Sequence, residues 1–164
     1  MLPLTLTALA APPEFAARLV VQLAKNSSML YVAGNHSEVL PRLSRQRLHF
    51  DVRRAFTAYQ LLQVLSEVMH DIVFIEHDGF EASNHLIEAI FLAMREISRN
   101  GSRVVYYSAK PDSFYDFIAR NSDSYVVVRR VGGGYVVWAG KEFYLQPTLG
   151  DFYGEDDEQH QDGG

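Results

Sequence analysis

Apolar residues along this chain switch repeatedly between two spacings. Short continuous or alternating runs give strands, and runs recurring every three or four residues give helices. Residues 2–9, rich in Leu and Thr, read as a buried strand. Pro12-Pro13 then opens a helix in which Phe15, Leu19, Val20 and Leu23 share one side. A turn at Asn26-Ser27-Ser28 leads to a second strand over 29–33 that stops at Gly34. Residues 37–43 predict a helical turn broken by Pro41, and Leu48-His49-Phe50 a third strand. The middle of the chain is the most regular. Residues 57–69 carry Leu61, Leu62, Leu65 and Val68 on one helical face. Ile72 to Ile75 form an unbroken apolar run between two acids, the mark of a strand buried on both faces. A long helix over 81–99, with Leu86, Ile90, Met94 and Ile97 inward, ends at Asn100-Gly101. A strand over 104–107 and a helix over 113–120 follow. After Ser124 three strands are expected, over 125–131, 135–138 and 141–145. Links as tight as Gly132-Gly133-Gly134 and Ala139-Gly140 imply an antiparallel meander. The expected class is α/β: a mostly parallel sheet flanked by helices and ending in that meander.

Composition narrows the picture in three ways. A length of 164 residues suits one hydrophobic core. The absence of cysteine removes disulfides, thiolate catalysis and cysteine-bound zinc. The net charge of −5 is unevenly spread: six acids and no Lys or Arg follow residue 150, whereas residues 1–150 hold 14 acids against 15 bases. Residues 154–164 therefore read as a disordered acidic tail. Pro12, Pro13 and Glu14 interrupt the apolar N-terminal run, and no signal peptide or membrane span is expected. The expectation is a soluble intracellular protein.

The most specific functional pattern is Gln146-Pro147-Thr148-Leu149-Gly150-Asp151-Phe152-Tyr153. One turn of 3₁₀ helix eclipses positions three apart, so Leu149 and Phe152 fall on one side with Tyr153 beside them. They form an apolar plug, and the Gln146 amide offers a donor and an acceptor next to it. This spacing resembles the PIP box, the peptide by which replication and repair proteins dock on the sliding clamp PCNA. The resemblance implies clamp binding through Gln146, Leu149, Phe152 and Tyr153, in an archaeal or eukaryotic cell, cytoplasmic in the first case and nuclear in the second. The plainer alternative is that Phe152 and Tyr153 fold back on the domain.

The element order over residues 1–145 resembles the RecA/RadA/KaiC-like core of the P-loop ATPases. Residues 4–24 are similar to its first strand, phosphate loop and first helix, and Tyr31-Val32-Ala33-Gly34 to its second strand. Asp71-Ile72-Val73-Phe74-Ile75-Glu76 looks like its Walker B strand, and residues 103–108 like its sensor strand. The departures are as informative. A phosphate loop needs glycines, a lysine and a hydroxyl. The matching segment, Ala10-Ala11-Pro12-Pro13-Glu14-Phe15-Ala16-Ala17-Arg18, has none of these. The family's water-activating glutamate would fall near Asn35 or His36, and neither is a carboxylate. The resemblance thus implies a RecA-like body with a lost ATPase site and no nucleotide cofactor.

Two further clusters carry possible chemistry. Glu76-His77-Asp78, with Glu81 and His85 four apart on the expected helix, has metal-ligand residue types at the end of a central strand. Glu76, Asp78 and His85 are the candidate ligands of a metal-dependent hydrolase; the plainer alternative is a polar loop and a surface pair. Arg42, Arg45, Arg47, Arg53 and Arg54 concentrate positive charge around His49 and Phe50, a candidate contact for nucleic acid or a protein partner. The expectation is a non-catalytic, clamp-docking protein of replication or recombinational repair, with a second repair or replication partner and weak DNA contact. The alternatives are the metal-dependent hydrolase and a degenerate RadA/KaiC-type regulator without clamp contact.

Overall fold

The structure is a computed structural model that describes residues 6–43 and 48–141. Among these residues seven strands and five helices follow one another as β1 (Leu6–Ala10), α1 (Pro13–Ala24), β2 (Met29–Ala33), α2 (Leu40–Leu43), β3 (Asp51–Arg54), α3 (Ala58–Ser66), β4 (Ile72–Glu76), α4 (Asn84–Arg99), β5 (Arg103–Ser108), α5 (Ser113–Asn121), β6 (Ser124–Val131) and β7 (Gly134–Lys141). They build one sheet in the order β3-β2-β4-β5-β1-β6-β7. All neighbours are parallel except β6 and β7, which form an antiparallel hairpin. The protein is therefore α/β with a mostly parallel sheet flanked by helices.

Each face of the sheet has its own core. Leu9, Tyr31, Phe74 and Tyr107 point to one face and pack with Ala16, Ala17 and Val20 of α1 and Leu43 of α2. Val32, Val73, Ile75 and Tyr106 point to the other and pack with Leu61 of α3, Ile90 and Met94 of α4 and Ile118 of α5. The two-residue period of a strand sorts these side chains, which is why the central runs are apolar without a break. Every residue of β2 and β4 is buried.

Helix ends follow their capping residues. The hydroxyl of Thr57 accepts from Gln60 N at 3.2 Å, and that of Ser83 from Leu86 N at 3.3 Å. Asp112 caps α5 through Tyr115 N at 2.9 Å. Gly101, at φ 102°, follows the last turn of α4.

Several sequence expectations shift. The third strand is Asp51–Arg54, not 48–50. It is the edge strand and is exposed on both faces, so it lacks the apolar signature of the inner strands; Phe50 instead packs on Tyr31, ring centroids 6.1 Å apart. The long helix begins at Asn84, because Ser83 caps it, and Glu81 lies in the preceding loop. Ala139-Gly140 is not a turn: β7 runs through it, with Gly140 opposite Tyr125. A side chain at 140 would collide with the Tyr125 ring, so this glycine serves close approach and not chain reversal. The expected strand over 141–145 lies, beyond Lys141, outside the described residues. Among the described residues no helix is long and apolar enough to cross a membrane.

Candidate functional site

Helices α1 and α2 cover one face of the sheet and α3, α4 and α5 the other. Neighbouring strands whose following helices lie on opposite faces leave a crevice at their carboxyl ends, where open α/β sheets bind ligands. This occurs at the edge pair β3 and β2 and, within the sheet, between β2 and β4 and between β5 and β1. Three features lie along that edge: the β1 corner, the Glu76 cluster and the cleft between α4 and α5.

The β1 corner is closed. Only Ala11 and Pro12 separate β1 from α1. Pro12 and Pro13 have no N–H, while the N–H groups of Ala11, Phe15 and Ala16 already donate to Ser108 O, Pro12 O and Pro12 O. The Tyr107 hydroxyl donates to Ala11 O at 3.0 Å and bolts the turn to β5. Burial, and then the nearby Glu76 and Glu38 charges, push the Tyr107 phenol well up, so it stays a donor. Glu14 adds negative charge to the first turn of α1, offset by Arg130 at 3.5 Å. An anion entering this corner would meet few free donors and a carboxylate.

The Glu76 cluster is also spoken for. Glu76 is buried, 7% exposed, at the carboxyl end of β4. Its carboxylate accepts from the Tyr31 hydroxyl, from Ser37 Oγ at 2.5 Å and from Glu38 N at 2.9 Å. Burial, followed by the charge of Glu76, pushes the Tyr31 phenol far up, so it too remains a donor. Asp78 accepts from Asn35 N at 2.7 Å and His36 N at 3.4 Å, and so holds the loop after β2. That approach requires Gly34, since a side chain there would overlap the Asp78 carboxylate. His85, on the first turn of α4, is exposed and Glu81 precedes the helix, so the expected helical Glu81/His85 pair does not form. Among the described residues no three His, Asp or Glu side chains are grouped to hold a metal ion. The carboxylates of the expected metal cluster tie loops together instead.

His77, the middle residue of the Glu76-His77-Asp78 group, is the centre of a chain of side chains. Its Nδ1 lies 2.6 Å from the Tyr106 hydroxyl and its Nε2 2.7 Å from Asp112 Oδ2. Burial, then the charge of Asp112, pushes the Tyr106 phenol well up, so it keeps its proton beside Nδ1. Burial pushes the Asp112 carboxyl up, but the hydrogen bond from His77 and those from the Tyr115 and Phe114 backbone outweigh it and hold the group below its usual range. Phe114 lies 5.0 Å from the His77 ring, centroid to centroid, and stacks on Tyr106 at 6.1 Å. The sequence singles out His77 but not Asp112; their pairing, 35 residues apart, comes from the β4–β5 contact.

On the far side of Asp112 an open cleft of about 600 Å³ lies between the N-termini of α4 and α5. Phe80, Leu86, Ile87 and Phe114 give its apolar surface, and Glu81 and Asp112 its charge.

The described members of the arginine group disperse. Arg42 Nη1 donates to Glu38 O at 2.5 Å, Arg53 pairs with Glu67 at 3.1 Å, and Arg54 donates to Gly34 O at 2.8 Å. Arg53 and Arg54 are consecutive in β3 and point to opposite faces. Arg45 and Arg47 lie outside the described residues, as do Gln146, Leu149, Phe152 and Tyr153.

No family model matches the chain. It is 34% identical over 133 residues to an uncharacterized protein of Archaeoglobus fulgidus, an alignment that spans 79% of this chain and 68% of that protein. The chain belongs to the same family as this archaeal protein.

Proposed function

We propose that this is a non-catalytic interaction protein: a RecA-like body whose nucleotide site has been filled in, docked on the sliding clamp through Gln146, Leu149, Phe152 and Tyr153 and acting in DNA replication or recombinational repair. The observation that carries the non-catalytic half is the two-residue β1–α1 connection, tied to β5 by Tyr107 and followed by Glu14 in the first turn of α1. The clamp half rests on the spacing of residues 146–153 in the sequence. An archaeal relative suits it, because the resemblance to the PIP box confines the reading to archaea and eukaryotes. The metal-hydrolase alternative gains nothing from the Glu76 cluster, whose carboxylates are already engaged. A docked body is concentrated near whatever else the clamp has gathered, which is how a binding module without chemistry contributes.

The test is co-purification of the full chain with an archaeal PCNA. The wild type is expected to be retained, and a chain with Leu149, Phe152 and Tyr153 all changed to Ala is expected to be lost from the clamp with an unchanged melting temperature. Equal retention of both chains overturns the docking peptide, and no retention of either leaves a regulator without clamp contact.

A further inference from the structure

The cleft between α4 and α5 belongs neither to the closed β1 corner nor to the clamp peptide. Its volume, about 600 Å³, is in the range that accommodates a small ligand or a few side chains. Its floor pairs Phe80 with Phe114 edge to face, ring centroids 5.9 Å apart, and Leu86 and Ile87 extend that apolar surface along α4.

The charge around this floor is of one sign. Glu81 and Asp112 line the cleft and no Lys, Arg or His does; Lys110, on the same loop as Asp112, is not among its walls. The two helix N-termini are not vacant anion sites either, because Ser83 and Asp112 already cap them. A phosphate or nucleotide would face two carboxylates. A cation would find the opposite. The Asp112 carboxylate accepts from the Tyr115 and Phe114 backbone and from His77 Nε2, and a carboxylate has lone pairs for about four. The Asp112 side chain is 43% exposed, so the remaining lone pairs are open to the cleft. A carboxylate next to aromatic faces matches a guanidinium better than an ammonium, since its planar fork binds the first and stacks on the second.

We infer that this cleft docks a peptide segment of a protein partner that presents an arginine flanked by bulky apolar side chains. The cleft opens at the carboxyl edge of the sheet. Lys141, the last described residue, pairs with Ser124, the first residue of β6, at the opposite edge. The cleft and Lys141 thus lie at opposite ends of the sheet, and the inference stands whether or not the clamp is a partner of this protein.

The probe is a random peptide library displayed on phage and selected on the full chain, with enriched sequences remade as fluorescent peptides for anisotropy. Enrichment of arginine between apolar residues is expected. Glu81→Lys and Ser113→Trp, both at exposed positions and the second filling the cleft, are each expected to weaken binding at least about tenfold with an unchanged melting temperature. Replacing the peptide arginine by norleucine is expected to do the same, and binding is expected to move the His77 imidazole nitrogen resonances. Failure to enrich any peptide, enrichment of acidic peptides, or binding indifferent to both variants would overturn the inference.

Discussion

Two corners of the same sheet edge have been finished in opposite ways. Where β1 turns into α1, an aromatic stack backs the closure: Phe74 lies against Tyr31 at 5.2 Å and Tyr107 at 5.6 Å, and both phenols reach past it to tie down Glu76 and Ala11. Where β4 and β5 turn into α4 and α5, the buried pair His77–Tyr106 sits beneath an open cleft and leaves Asp112 partly exposed above it. The first corner spends its polar groups on holding the fold, whereas the second keeps a charged group available.

The largest effect should come from removing the plate beneath the closed corner. Phe74 is fully buried, so Phe74→Ala is expected to cost about 3–5 kcal/mol through lost burial and an unfilled cavity, measured by denaturant unfolding. A loss below about 1 kcal/mol would mean that the aromatic stack does not brace this corner. Next, Tyr31→Phe takes one donor from the buried Glu76 carboxylate and should cost about 1.5–3 kcal/mol. Stability unchanged by it would place Glu76 in contact with water and reopen it as a ligand.

These bolts also show what could be read in advance. The inner strands and the helices were legible because burial on both faces, or on one helical stripe, writes a period into the sequence. The edge strand Asp51–Arg54 writes none, and a glycine used for close approach at 140 is indistinguishable from one used for a turn until Tyr125 is seen across from it. Glu76 was legible as an acid ending a central strand. What it does was not, since its partners Tyr31 and Ser37 lie 45 and 39 residues away in a different loop and strand. The same holds for His77 and Asp112. Long-range pairing follows from strand order, and no local pattern encodes it.

The open corner should respond more weakly, and to pH. Asp112 is held below the usual carboxylate range in the folded protein. A depressed carboxyl stabilises the fold above its unfolded pKa of about 4, and that contribution fades as pH falls through the lower folded value. Asp112→Asn is therefore expected to lower the melting temperature modestly at neutral pH, with the difference from wild type shrinking as the pH falls below about 4. The exposure of Asp112 to solvent keeps the effect small. A difference that is constant from acid to neutral pH would show that its charge does not support the His77 chain.

The contrast itself turns on whether the β1 corner still admits a nucleotide. Titration calorimetry of the full chain with Mg-ATP asks this directly. A closed corner predicts no saturable heat, in the wild type and in Tyr107→Phe alike, because the missing N–H donors and Glu14 remain when the hydroxyl is gone. Saturable micromolar binding to the wild type would contradict the account.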